Sequence, residues 1–219
     1  MPRSPFLPRY EDLAATIPVF PLSGVLLLPG GLLPLNIFEP RYLAMVDDAL
    51  SSGRLIGMVQ PTEEAGGDRA PKVYDIGCAG RITSYDETDD GRYLITLTGV
   101  SRFRIGNELS TTRGYRRVQA DWTPFQSDCD DEAPVTIDRD RLRAGLMPFF
   151  RSHGIEANWD AVDNTPDGKL VTTLAMICPF EANEKQALLE ADDPATRAQT
   201  LISLIEMANL SNGTEERRH

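Results

Sequence analysis

The side chains suited to nucleophilic or metal chemistry are few: Cys78, Cys129, Cys178, His153 and His219. A thiol nucleophile needs a base within hydrogen-bond reach, and only His153 qualifies by position, since His219 ends the sequence. His153 closes the run Phe149-Phe150-Arg151-Ser152-His153-Gly154, a helix-end pattern in which an imidazole contacts terminal carbonyls. Cys78 sits in a strand pattern and Cys178 on a helix before Pro179, so both thiols are expected to be buried and inert. Neither histidine has a neighbour at metal-ligand spacing. There is no GxSxG elbow, no GxxxxGK[ST] phosphate loop and no GxGxxG. The pairs Gly30-Gly31 and Gly66-Gly67 read as loop turns. Asp89-Asp90 and Asp192-Asp193 read as turn and cap carboxylates, with no pair singled out for acid–base work. The expectation is a protein that is not an enzyme, with no catalytic residue, no metal and no cofactor.

Charge narrows the partners. The 219 residues carry 22 basic and 33 acidic side chains, a formal −11, and both halves are acidic. Phosphate binding rests on Lys and Arg displacing counterions, so nucleic acid and anionic membrane are not expected partners. Three scattered cysteines form no disulfide framework and suit a reducing compartment. The amino terminus lacks the apolar run of a secretory signal, and no stretch is long and apolar enough to cross a bilayer, which makes a cytoplasmic location the default.

The elements that would position any site fall into two parts. Pro2, Pro5 and Pro8 predict an extended arm over residues 1–15. Three apolar runs, Ile17–Phe20, Val25–Leu28 and Leu32–Phe38, are broken by Pro and Gly and predict short strands. Pro40 opens a helix over 40–51 with Tyr42, Leu43, Val46 and Leu50 near one face. Residues 55–60 return to strand, and 61–71 form a polar loop. Strands follow at 76–87, 91–99 and 101–109, with Asp90-Gly91 as a hairpin turn and a last strand from Tyr115. Arg102 and Arg104 alternate with Phe103 and Ile105, so the arginines are expected outside and the apolar pair inside. The acidic, irregular stretch 126–137 predicts a solvated linker between a β-rich part, 1–125, and a helical part, 138–219. Five short helices are predicted there, starting at Asp138, near 156, at Thr165-Pro166, near 183 and at Asp193-Pro194.

The order of these pieces resembles the amino-terminal substrate-binding domain of Lon proteases. The resemblance rests on Ile17–Leu22, Val25–Pro29 and Pro34–Phe38, then Glu39-Pro40-Arg41-Tyr42, then 55–61, 76–82 and 90–105. Within the last, Gly99, Arg102, Phe103 and Ile105 match the family's strand signature; residues 183–205 resemble its later helices. The resemblance implies an α+β fold, a PUA-like β-barrel half followed by a helical bundle. It also implies binding of unfolded or tagged polypeptides, or of a protease or chaperone partner, without the ATPase and protease domains, and leaves homo-oligomerisation open. Val25, Leu26, Leu27, Leu28, Leu32, Leu33, Phe38, Arg41 and Tyr42 are the expected binding residues, because an apolar run left exposed marks an interaction surface. Leu26–Leu28 as a buried strand is the competing reading, and the groove between the two halves is a second expected location. An ATP-independent hydrolase or an RNA-binding PUA-like protein are the alternative functions; the second is fold analogy, which transfers function poorly.

Overall fold

The computed structural model describes residues 6–62, 71–110, 113–130 and 135–215, with side chains described as far as Ser211. Pro2 and Pro5 of the predicted arm, most of the 61–71 loop, residues 131–134 of the predicted linker and His219 lie outside them. The chain divides into two compact units, Met1–Glu132 and Ala133–His219. Together they make an α+β fold.

The first unit contains β1 (Thr16–Pro21), β2 (Leu32–Ile37), α1 (Pro40–Leu50), β3 (Leu55–Val59), β4 (Ile76–Glu87), β5 (Tyr93–Leu109) and β6 (Arg116–Asp121). The strand order is β2-β5-β4-β3-β1-β6, and β6 pairs back onto β5. Five strands therefore close into a barrel, with β2 attached outside the ring. β1 and β3 run parallel (Val19 opposite Gly57), while β6 closes antiparallel on β1 (Thr16 opposite Gln119). Phe103 fills the barrel interior with Ile17, Val19, Val59, Val100 and Val118 around it. Gly57 and Gly77 leave room for that ring, since a methyl group on either would strike it.

β5 is one continuous strand of 17 residues where two were expected. Its partner register slips between Ala79/Gly80, so the chain bends at a bulge instead of turning back. Gly99 is the reason. The carbonyl of Leu28 lies where a side chain at Gly99 would begin. Gly99 N–H donates to Gly31 O at 2.8 Å, and Gly30 N–H donates to Gly99 O at 3.0 Å. Opposite Gly99, Gly80 makes way for the side chain of Leu27. Residues 25–28 are consequently an irregular segment laid across the two glycines, with Leu26–Leu28 buried, and no strand forms there.

α1 begins at Pro40, as expected, with Arg41 paired to Glu39 at 2.8 Å. Its inward face is Tyr42, Met45, Val46 and Ala49, while Leu43 and Leu50 are only half-buried. The hairpin turn forms at Asp90-Gly91, where Gly91 takes a φ of +78°.

Arg102 corrects the alternation read from sequence. It is 3% exposed, beside the equally buried Phe103. Thr123–Phe125, expected to continue the last strand, and residues 126–129, expected in the linker, instead form a 3-10 turn, Thr123–Cys129, which folds over Arg102. Asp128, expected in a solvated linker, accepts from Arg102 Nε and backbone N–H, both at 2.9 Å. The guanidinium also stacks over Phe125 at 4.6 Å.

The second unit comprises α2 (Arg139–Ser152), α3 (Trp159–Asn164), α4 (Asp167–Ile177), α5 (Ala182–Glu190) and α6 (Pro194–Glu215). The Asp138 carboxylate caps α2 by accepting from Arg141 N–H at 2.9 Å. Arg139 ties three elements together: it pairs with Asp167 at the start of α4 and donates to the carbonyls of Val162, Asp163 and Thr165 at the end of α3. α6 runs through Asn212 and Gly213, where a stop was expected. Leu146, Phe149, Leu174, Leu188 and Leu201 form the centre of this unit.

Gly99→Ala should be among the most damaging small substitutions, because the added methyl group meets backbone, which cannot rotate away. The expected cost is ~3 kcal/mol or more, read as a fall in the urea midpoint. Gly53→Ala, in open space, should stay within about 0.5 kcal/mol of the parent.

Candidate functional site

The nine residues singled out from sequence separate into two groups. Leu26, Leu27 and Leu28 are at most 2% exposed. They pack over Gly80 and Gly99 and are withdrawn from any surface. Tyr42 is buried too, its ring 4.2 Å from that of Phe20. Burial, the largest influence, raises its pKa. Arg41 lies exposed over the Tyr42 ring, 4.6 Å from its centroid. Val25 and Leu33 are half-buried. Leu32 and Phe38 face solvent, 63% and 65% exposed, which is unusual for side chains of this size.

Leu32 begins β2, the strand outside the barrel, and Phe38 follows it directly. β2 pairs with β5 only along one side, from Leu32 opposite Thr98 to Ile37 opposite Tyr93. Residues directly opposite in an antiparallel pair share a face. Leu32, Pro34 and Asn36 thus share one face with Thr98, Thr96 and Leu94, and all three β2 residues are exposed. Leu94 is 42% exposed. Sequence reasoning missed it, although the signal was available. Once Tyr93, Ile95 and Leu97 are assigned to one side, Leu94 is left as the apolar residue on the other. The opposite face of the ribbon carries Tyr85 and Tyr93 in edge contact at 5.1 Å, with Tyr93 O–H donating to Asp47 of α1 at 3.1 Å. Burial, and then the carboxylate of Asp47, push the Tyr93 hydroxyl up to about 12.

A cavity of about 300 Å³ opens elsewhere on this unit, among Thr16, Asp48, Ser52, Tyr115 and Arg117. Asp48 accepts from Tyr115 O–H at 2.6 Å and pairs with Arg113. Its carboxylate is thus already engaged, the Ser52 hydroxyl donates to the Asp48 carbonyl at 2.8 Å, and no thiol or imidazole is in the lining. His153 behaves as its sequence setting implied: Nδ1 lies 2.8 Å from the Phe149 carbonyl. Cys78 and Cys178 are buried, and desolvation pushes the Cys178 thiol up to about 12, against a weaker opposing pull from Lys185. Among the described residues, no group of three or more His, Cys, Asp or Glu is placed to hold a metal ion, and no helix is long and apolar enough to cross a membrane.

The family model of the ATP-dependent protease La (LON) substrate-binding domain matches residues 16–207. The chain belongs to that family. It is 26% identical over 215 residues to Lon protease 2 of Myxococcus xanthus, covering 95% of this chain and 26% of that protein. With Lon protease of Dictyoglomus thermophilum it shares 24% identity over 213 residues, again 26% of the relative's length. The chain thus spans about a quarter of the curated relatives it matches. A Lon N-terminal domain protein from Xanthomonas campestris superimposes with a TM-score of 0.59 at 24% identity, over 87% of this chain and 98% of that one. The N-terminal domain of Lon protease from Mycobacterium avium complex gives 0.60 at 19% identity with the same coverage. These two show the fold.

Thiol chemistry should sort by burial. In the folded LON-family chain, Cys129 should react with a thiol reagent at pH 8, while Cys78 and Cys178 react only after denaturation. A raised folded-state pKa means that the folded chain holds its proton when the unfolded one releases it. Stability should therefore fall as pH rises from the ordinary thiol value of 9.0 towards about 12. Cys178→Ala should flatten that fall in alkaline urea titrations. The comparison with the parent isolates Cys178 from Lys185, whose pKa burial lowers and which acts with the opposite sign.

Proposed function

We propose that the chain is a non-catalytic polypeptide-binding module, taking unfolded or tagged chains and serving a protease or chaperone in trans as adaptor or substrate binder. The observation that carries this reading is the exposed apolar face of the β2–β5 ribbon, with Leu32, Pro34, Leu94 and the neighbouring Phe38. A folded domain gains nothing by leaving side chains of this size in water, and a cluster of them marks a surface that exchanges water for a partner. Unfolded chains differ from folded ones chiefly in offering apolar side chains and unpaired backbone. A surface that presents apolar groups without a shaped pocket suits them. The family's description as a substrate-binding domain supports the same role. Leu32 and Phe38 remain the binding residues of the reading, with Leu33, Val25 and Arg41 at its margin.

Binding of a fluorescently labelled, denatured protein by the purified chain tests this. Leu32→Asp and Phe38→Asp should each weaken binding about tenfold, the loss of one well-placed anchor, with the urea midpoint unchanged because both side chains are already exposed. Undiminished binding by the double variant would remove the ribbon from the reading, and cleavage of the labelled chain would replace it with an enzyme.

A further inference from the structure

The cavity beside the end of α1 follows from the register of the barrel. Ile17 opposes Val118, and both belong to the barrel core. Side chains alternate along a strand, so Thr16 and Pro18 of β1 and Arg117 of β6 stand outside the barrel. Arg117 is opposite Pro18 and Thr16 is opposite Gln119, which makes Thr16 and Arg117 diagonal neighbours on that outer face. The end of α1 supplies Asp48 and Ala49 to the same cavity, and the turn after it supplies Ser52 and Gly53. That turn is held by its own closure. Arg54 takes a φ of +61°, and its N–H donates to the Ala49 carbonyl at 2.9 Å.

The polar groups of the lining are unevenly engaged. Asp48 has both carboxylate oxygens occupied, one by Tyr115 and the other by Arg113. Ser52 gives its proton to the Asp48 carbonyl. Arg117 is different: it stands in no ion pair among the described residues, and its guanidinium donates to none of them. The Thr16 hydroxyl has no hydrogen-bond partner among them either, and the Gly53 N–H meets no carbonyl. One positive charge and two neutral donors therefore remain available, beside a carboxylate that is already neutralised. This set matches a single negative charge carried on two oxygens, since a guanidinium takes a carboxylate through two parallel N–H bonds. A phosphate monoester carries about two charges at neutral pH and would find one available cation, with Asp48 close by. The rest of the lining is mostly small and apolar, including Ala14, Pro18 and Ala49. The volume of about 300 Å³ lies at the lower end of ligand sites, room for about one or two amino-acid residues.

We propose that this cavity binds the carboxyl terminus of a polypeptide. The terminal carboxylate sits on Arg117 and the Thr16 hydroxyl, assisted by the Gly53 amide, with a small apolar terminal side chain against Ala14, Pro18 and Ala49. The proposal rests on the polypeptide-binding reading and adds to the β2–β5 ribbon a site for one end of the bound chain. Capture of a terminal carboxylate is a recurring mode of peptide recognition. It complements the ribbon, because a chain end is marked by its charge and its last residues, whereas the ribbon responds to apolar side chains anywhere along a sequence. Gly53 and Arg117 are exposed, so the preceding residues of a bound chain have a way out to solvent.

The test uses the full chain and a short peptide of alternating glycine and serine ending in valine, labelled with fluorescein at its amino end. By fluorescence anisotropy, the free-acid peptide should bind at least about tenfold more tightly than the same peptide ending in a carboxamide, which cannot form the charged pair. Arg117→Gln should weaken the free acid about tenfold and leave the amide within about twofold, so that the two peptides become alike. Thr16→Val, which keeps the branched shape at this strand position, should lower the free-acid affinity about threefold. Urea midpoints near that of the parent should accompany both variants, placing the losses in binding and not in the fold. N-acetylvaline should compete at least about tenfold more weakly than the unlabelled peptide, and inorganic phosphate more weakly still. Equal affinity for acid and amide, with denatured protein still bound, would overturn chain-end capture and leave the polypeptide-binding reading standing. An acid–amide difference that survives Arg117→Gln would do the same. Failure of the parent chain to bind denatured protein or either peptide would overturn both. Competition by N-acetylvaline as strong as that of the peptide would assign the cavity to a free acid, and stronger competition by phosphate would assign it to phosphate; either result overturns the proposal.

Discussion

Much of the first unit depends on one steric fact: at Gly99 the backbone of a neighbouring segment comes closer than any side chain permits. The Leu28 carbonyl occupies that space. The two hydrogen bonds linking Gly99 to Gly30 and Gly31 then fix the segment across the sheet. Because Gly31 is held there, the next residue, Leu32, opens the ladder with β5 in a single register. The contact buries three leucines and also places β2 where no described strand pairs with its far side. Core and surface are here consequences of the same missing methyl group.

The run Val25–Leu28 admitted both an exposed binding surface and a buried strand, and a short apolar run does not distinguish a strand from an irregular segment. β5 read as two strands because a glycine between alternating stretches signals a bend or a turn equally well. Elements set by local chemistry were clear: Pro40 opening α1, Asp90-Gly91 turning the hairpin, Asp138 capping α2. Arg102 was not. Its burial is decided by Asp128 in a separate turn, and no local pattern in β5 carries that information. Of the candidate surface, Leu32 and Phe38 could be named but not told apart from Leu26–Leu28. The difference lies in which residues meet Gly80 and Gly99.

Ion pairs in this protein also differ by setting. Arg41–Glu39 and Arg92–Asp90 are about half exposed and add little to stability, as solvent-screened pairs generally do. Arg102–Asp128 is a different case, with side chains 3% and 10% exposed and three charge-assisted contacts at 2.9 Å. Removing one partner there leaves a charge in the interior, a far larger penalty than losing a surface pair. The 3-10 turn that supplies Asp128 is thereby locked over the middle of β5. Arg139 has a comparable role among the helices, where one guanidinium satisfies carbonyls that the end of α3 would otherwise leave open.

The closing of the barrel joins Thr16 to Gln119 and Ile17 to Val118, a separation of about a hundred residues. Contacts this distant carry the full entropy of a large loop before they return anything. During synthesis, which runs from the amino terminus, β1 emerges long before β6 exists. It must wait with Ile17 and Val19 uncovered on that side until Asp121 has been made. The amino-terminal strand of this chain is thus, for the period of its own translation, an exposed extended segment of the kind that cellular quality control surveys.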